Sequence, residues 1–216
     1  LLSAFVICLA GTSIAQESPL WMRHCALSPD GTTIAFTYKG DIYTVPSTGG
    51  RATQITTNPA FDTEPVWSPD SKQIAFASDR MGSLDVFVVS SEGGAPQRLT
   101  THSGSEKPVA YKDNKHILFT ANIAPSAEDA GFPSGQFQQV YEVAVTGGRP
   151  AMFSSMPMEC ISINKEGVML YQDKKGYEDY WRKHQVSPIA RDIWTYTPGK
   201  KPVYQKQTTF GGEDRE

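Results

Sequence analysis

Short apolar runs alternate with polar turns along most of the chain, and the alternation repeats. The segment HCALSPDGTTIAF (24–36) places a Ser-Pro-Asp-Gly turn between two such runs, and EPVWSPDSKQIAF (64–76) nearly repeats it 40 residues later. Each copy continues into another β-rich run, a Gly-Gly turn and a closing QITT or RLTT. Pro presets φ at the second position of a type I turn, and Asp and Gly favour the rest of it. Each unit therefore predicts four short strands.

Two looser copies follow the first two. The third contains KPVAYKDNKHILFTA and the fourth contains ECISINKEGVMLYQ, and each goes on to further β-rich runs. The predicted units span 20–57, 58–101, 102–155 and 156–209, and FGGEDRE (210–216) resembles the beginning of a fifth.

A period near 40 residues with four strands per unit is typical of β-propeller blades. A single four-stranded sheet cannot bury both of its faces, whereas blades packed face to face around an axis can. We therefore predict an all-β fold in which 20–216 forms a partial β-propeller of four-stranded antiparallel blades. Its four blades and the start of a fifth would belong to a six-bladed ring, within the roughly four to eight blades of known propellers. A β-sandwich or a solenoid would explain the recurrence of the whole unit less well.

The first 16 residues have a different character. They form an apolar run that ends at SIA (13–15), a small-x-small sequence of the kind that signal peptidase cleaves. We expect a signal peptide over 1–16, a periplasmic or secreted protein, and no membrane insertion after signal removal. Removal leaves Cys25 and Cys160, which the repeat places on strands too far apart for a disulfide, and we expect both to be buried free thiols.

Composition and motifs narrow the chemistry. The net charge is −3 and no Lys/Arg block is present, which gives no reason to expect a nucleic acid partner. No pair of the four histidines has the spacing of a zinc site, and the sequence has no zinc-binding HExxH, no G-x-S-x-G elbow and no P-loop. We predict no catalytic residue, no metal site and no cofactor within the chain.

The SPDG…IAF…DIY units resemble the blades of TolB and of the tricorn-like serine peptidases. The stretch YEDYWRKHQVSPIARDIWTYTP (177–198) favours the tricorn-like peptidases, which are related to C-terminal-processing peptidases. The resemblance implies the N-terminal propeller of a secreted peptidase, which admits peptide substrates and serves as a scaffold. Its partners would be peptides and the downstream catalytic and PDZ-like domains of the same chain, and an oligomer is possible. The alternatives are a non-enzymatic TolB-like interaction propeller and the propeller of a prolyl-oligopeptidase-like hydrolase.

A glutamate recurs just before the predicted innermost strand of each unit. Because propeller geometry brings these positions to one mouth of the channel, their charges would attract a peptide N-terminus or a basic side chain. The alternative is that each carboxylate caps backbone N–H groups of a neighbouring blade. The residues concerned are Glu64, Glu106, Glu159 and Glu216.

Two long insertions, 122–136 and 173–190, interrupt the third and fourth units on the face that carries these glutamates. Insertions confined to one face often mark a binding face. The second insertion offers a set of aromatic and basic side chains for peptide contact, or for packing against the rest of the protein. These are Tyr177, Tyr180, Trp181, Arg182 and Lys183.

Overall fold

The computed structural model describes residues 21–123, 138–174 and 191–208, which contain sixteen β-strands. Within those residues there is no helix long and apolar enough to cross a membrane. The strands are β1 Arg23–Leu27, β2 Thr33–Tyr38, β3 Asp41–Pro46, β4 Thr53–Gln54, β5 Asp62–Trp67, β6 Gln73–Ser78, β7 Asp85–Ser90, β8 Gln97–Arg98, β9 Glu106–Asp113, β10 His116–Ala121, β11 Gln139–Ala144, β12 Ala151–Ser154, β13 Met158–Ile163, β14 Met169–Asp173, β15 Ile193–Thr197 and β16 Val203–Lys206.

The strands form four antiparallel sheets of four strands, each in chain order. Blade 1 contains β1–β4, blade 2 contains β5–β8, blade 3 contains β9–β12 and blade 4 contains β13–β16. The first strands of successive blades lie beside one another, so that β5 contacts β1 and β9, and β9 contacts β13. The first strand of each blade is therefore its innermost strand. The predicted all-β fold with four-stranded blades is confirmed.

The Ser-Pro-Asp turns join the innermost strand to the second strand, as the sequence predicts. In blade 1 the Ser28 hydroxyl donates to Asp30 Oδ1 at 2.6 Å and accepts from the Thr33 backbone N–H at 2.9 Å. The bonds from the Ser28 hydroxyl and from Thr32 lower the pKa of Asp30. The turns also connect the blades, because the Asp30 backbone N–H donates to the Ser71 hydroxyl at 3.3 Å.

In blades 1, 2 and 4 a closing threonine binds the backbone of its own blade. The Thr56 hydroxyl accepts from the backbone N–H of Ile42 at 2.9 Å, and the Thr100 hydroxyl accepts from Val86 at the same distance. Blade 4 repeats the contact with Thr208. These bonds explain why QITT, RLTT and QTT recur at the ends of units.

The core consists of three apolar clusters, one between each pair of neighbouring blades. The blade 1–2 cluster includes Trp67 and Phe76, the blade 2–3 cluster includes Phe119, and the blade 3–4 cluster includes Met158 and Tyr171. Such contacts stabilise the fold mainly by removing apolar surface from water, which contributes about 25 cal/mol for each Å² buried. Blade-to-blade packing therefore holds the fold together.

The prediction of buried thiols is wrong. Cys25 and Cys160 form no disulfide with each other, but both side chains are exposed. Each lies in a β-bulge of its innermost strand, where the register shifts between Arg23 and Ala26 in blade 1 and between Glu159 and Ser162 in blade 4. Because a bulge changes the direction of its side chains, the regular alternation of buried and exposed positions fails there.

Candidate channel mouth and inter-blade sites

A β-bulge shapes the beginning of the innermost strands. His24, Glu64 and Cys160 lie at equivalent bulge positions of blades 1, 2 and 4, with φ of 50°, 55° and 51°. A non-glycine residue with positive φ is uncommon and costs roughly 1 kcal/mol or more. Bulges of this kind change the direction of a side chain and end the regular alternation of faces.

The bulge changes where the predicted glutamates lie. Glu106 is the first residue of β9, Glu159 is the second residue of β13, and Glu64 is the third residue of β5, in its bulge. They therefore lie within the innermost strands rather than just before them, and at three different positions. Sequence spacing could not show this, because it does not reveal where a strand begins. Outside the described residues lie Glu216, Tyr177, Tyr180, Trp181, Arg182 and Lys183.

Two of these glutamates have cationic partners. Glu64 Oε1 accepts from Lys107 Nζ of the next blade at 2.7 Å. Glu159 accepts from Lys174 Nζ at 2.8 Å and from Arg191 Nη1 at 2.7 Å. This end of the innermost strands thus carries both signs of charge, and the attraction of a peptide by Glu64 and Glu159 remains a prediction.

The innermost strands of all four blades line one cavity of about 640 Å³ near the Ser-Pro-Asp turns. Its wall includes Leu27, Val66, Ala110, Ile161 and Ser162. Most of the lining residues are apolar and belong to the innermost strands, an arrangement suited to an extended chain passing along the cavity. We call it the axial cavity.

Blade 2 carries an ion pair at its interface with blade 1, where the Asp62 backbone N–H donates to the Gly40 carbonyl. Arg80 Nη2 donates to both carboxylate oxygens of Asp62 at 2.9 Å, and Arg80 Nε donates to the Ser78 hydroxyl at 2.9 Å. The guanidinium carbon lies 4.5 Å from the centroid of the Phe87 ring and 5.6 Å from that of Phe76. Asp62 is fully buried, and each of its carboxylate oxygens accepts a hydrogen bond.

The corresponding carboxylate between blades 2 and 3 has no such partner. Glu106 pairs with the last residue of β10 as Asp62 pairs with the last residue of β6, so the two positions are equivalent. Glu106 is 1% exposed, and neither of its oxygens makes a hydrogen bond within the described residues. Burial raises its pKa to about 6, and the charge of Asp85 adds to the shift. The nearby Thr100 hydroxyl and His102 backbone N–H lower the pKa of Glu106 in part, although neither has the geometry of a full hydrogen bond to its carboxylate.

The sequence did not single out Asp62, Arg80, Asp85 or Arg98. Arg98 Nη2 lies 2.9 Å from Asp85 Oδ2, on the blade 2 side of Glu106. The available signal was the Ser-Asp-Arg at the end of the second strand of blade 2, which begins at the last residue of β6 and which the second strands of the other units lack. Among the residues that the structure describes, no group of three or more His, Cys, Asp or Glu side chains could hold a metal ion.

Four repeated sheets packed around an axis that their first strands line define a β-propeller. The chain belongs to the tricorn protease N-terminal β-propeller domain family, whose model matches residues 19–216. It is thus a propeller of the kind found in peptidase-like proteins.

Curated relatives agree with this family. The chain is 39% identical over 77 residues to tricorn protease homolog 1 of Streptomyces coelicolor, covering 36% of this chain and 7% of that protein. It is 32% identical over 108 residues to the uncharacterized peptidase YuxL of Bacillus subtilis, covering 44% of this chain and 16% of that protein. The chain therefore spans less than a fifth of the length of either relative.

Solved structures share the fold. The crystal structure of the tricorn protease matches 91% of this chain and 19% of its own, with a TM-score of 0.67 and 16% identity. TolB from Acinetobacter baumannii matches 86% of this chain and 43% of its own, with a TM-score of 0.61 and 17% identity. At these identities the likeness concerns the fold alone.

Proposed function

We propose that this propeller admits peptides to a tricorn-like serine peptidase and acts as the scaffold on which the catalytic part is held. Family membership supports the peptidase, and the axial cavity supports a path for peptides. The cavity is the observation on which the proposal chiefly depends, because the innermost strands of all four described blades contribute to it.

The backbone of the innermost strands gives a physical reason for peptide binding. Each of β1, β5, β9 and β13 pairs with one strand of its own sheet only. The N–H and C=O groups on the axial side are therefore available to an extended peptide, as in recognition by strand addition. Backbone recognition is insensitive to side-chain identity, which suits the passage of varied substrates.

The proposal includes a compartment and partners. The apolar segment 1–16 supports a periplasmic or secreted location. The partners would be peptide substrates and the catalytic and PDZ-like domains of a longer chain. A non-enzymatic TolB-like interaction propeller and a prolyl-oligopeptidase-like hydrolase are the other candidates, and the fold by itself does not separate them.

The test narrows the axial cavity in the intact protein. Ala110→Trp and Ser162→Trp each place a bulky side chain on its wall, whereas Gln205→Trp on the outermost strand β16 is the matched control. We expect both wall variants to slow hydrolysis of a long unstructured polypeptide several-fold, with a smaller effect on a short chromogenic peptide. Equal hydrolysis of the polypeptide by all three variants and the wild type would contradict the proposal.

A further inference from the structure

The Arg80 site between blades 1 and 2 shows how this fold receives a guanidinium group. The group meets a buried carboxylate, Asp62, and lies against two stacked rings, Phe76 and Phe87, whose centroids are 5.9 Å apart. A carboxylate supplies a charge-assisted hydrogen bond, and an aromatic face attracts the cation. Together they form a receptor with two parts.

Blade 3 has the same two parts. Glu106 occupies the position of Asp62, and Phe119 and Tyr141 occupy those of Phe76 and Phe87, stacked with centroids 5.7 Å apart. The position of Arg80, two residues beyond the second strand, is occupied by Ile123. The receptor is therefore repeated without the cation that fills it in blade 2.

A cavity of about 690 Å³ lies at this place, between the outer part of blade 2 and blade 3. Its lining includes the carboxylate and one ring of the repeated receptor, the residue at the position of Arg80, and basic or polar side chains on both sides. They are Glu106, Tyr141, Ile123, Arg98, His102 and Arg149. We call it the blade 2–3 cavity.

Glu106 is the one carboxylate among the described residues that line this cavity, which also contains the guanidinium groups of Arg98 and Arg149. Arg98 lies 2.9 Å from the buried carboxylate of Asp85, and neither oxygen of Glu106 has a hydrogen-bond partner among the described residues, Arg149 included. A buried carboxylate without a hydrogen bond is costly, so Glu106 favours a cationic donor. At the blade 3–4 interface the equivalent position is Met158, an apolar residue, so no such charge arises there.

We propose that the blade 2–3 cavity binds the guanidinium group of an arginine side chain, with Glu106 accepting its hydrogen bonds and the Tyr141 ring lying against its face. The source of this arginine is a substrate peptide, an assignment that rests on the proposed function. The receptor itself rests only on its likeness to the Arg80 site.

Binding of a capped amino acid tests the receptor without any hydrolysis. The intact protein is titrated calorimetrically at pH 7.5 with N-acetyl-arginine amide, and then with N-acetyl-citrulline amide, which has the same shape but no charge. We expect the citrulline compound to bind about tenfold more weakly or worse, as loss of a charge-assisted contact implies. Equal binding of the two compounds, or no binding of the arginine compound, would overturn the proposal.

Two variants locate the site. Glu106→Gln keeps the shape of the side chain and removes its charge, and we expect it to weaken arginine binding about tenfold or more. Glu166→Gln, at an exposed turn between β13 and β14, is the matched control and should bind as the wild type does. Unchanged binding in a folded Glu106→Gln protein would place the arginine elsewhere and overturn the assignment.

Ile123→Arg provides a second variant that does not depend on the first. Its own guanidinium should occupy the receptor, as Arg80 does in blade 2, and abolish binding of N-acetyl-arginine amide. Retained binding in this variant would contradict the proposal. The two tests can also give different answers. If the arginine compound binds as expected but the wall variants of the axial cavity leave hydrolysis unchanged, the arginine receptor is supported, and a substrate peptide as the source of the arginine is rejected.

Discussion

The two interfaces on either side of blade 2 have similar apolar contacts but different polar ones. Between blades 1 and 2, Trp67 Nε1 donates to the Ala26 carbonyl at 3.0 Å, and Asp62 and Arg80 satisfy each other. Between blades 2 and 3, the equivalent Tyr111 hydroxyl is buried without a hydrogen-bond partner, as are both oxygens of Glu106, among the described residues. Burial raises the pKa of Tyr111.

This difference shows that equivalent interfaces of a repeat can serve different purposes, one for stability and the other as a candidate binding site. An unsatisfied buried polar group costs about 1–3 kcal/mol, so the blade 2–3 interface gives up stability that the blade 1–2 interface keeps. The repeated apolar positions are those that every blade needs for packing. Polar side chains that depart from the repeat, such as those between blades 2 and 3, mark positions that packing does not explain.

The largest expected effect on stability comes from removing the central side chain of the interface between blades 1 and 2. Trp67→Ala removes a side chain that is 8% exposed, together with its hydrogen bond to Ala26. We expect the free energy of unfolding to fall by about 3–5 kcal/mol, measured by urea unfolding followed by circular dichroism. Tyr111→Phe at the other interface is the matched comparison and should cost little, because its hydroxyl has no partner to lose. Equal losses in the two variants would remove the contrast between the interfaces.

The next effect concerns the ion pair. Asp62→Asn keeps the shape of the side chain but leaves the guanidinium of Arg80, only 12% exposed, without a carboxylate partner. We expect a loss of about 3 kcal/mol in the free energy of unfolding, because breaking a buried pair leaves an uncompensated charge. A double variant in which Arg80 is also replaced by Met should recover part of this loss. No recovery would show that Asp62 acts through something other than the pair.

A smaller effect of opposite sign is expected at Glu106. Its pKa of about 6 lies above the usual 4.5, so the folded protein binds a proton there more readily than the unfolded chain does. The ionised carboxylate therefore penalises folding at pH values above about 6, and the penalty disappears as the pH falls below 4.5. The charged or titratable groups around it are Asp85, Arg98, His102 and Arg149.

Glu106→Gln should accordingly raise the free energy of unfolding by up to about 2 kcal/mol at pH 7.5. The gain should shrink to nothing as the pH is lowered through this window, which urea unfolding at several pH values would show. A variant that is less stable than the wild type at pH 7.5 would mean that the ionised carboxylate stabilises the fold.

Much of the fold follows from local sequence. The Ser-Pro-Asp turns and the closing threonines act within a few residues or within one blade, so their repetition predicts the blades and the order of strands. The Ser28–Asp30 and Thr56–Ile42 bonds are examples.

The sites could not be predicted in the same way. The exposure of Cys160 and the placement of Glu64 depend on a bulge, which spacing does not reveal. The pairing of Asp62 with Arg80, and its absence at Glu106, depend on which side chains neighbouring strands bring together across an interface. Equivalent positions become visible only once the strand register is known.

Peptide passage along the axis can be measured directly by photo-crosslinking. An unstructured peptide that carries a benzophenone side chain is irradiated with the intact protein, and the attachment sites are found by mass spectrometry. The account predicts crosslinks on the innermost strands, at residues such as Leu27, Val66, Ala110 and Ser162, that excess unlabelled peptide suppresses. Crosslinks confined to the outermost strands β4, β8, β12 and β16 would contradict it.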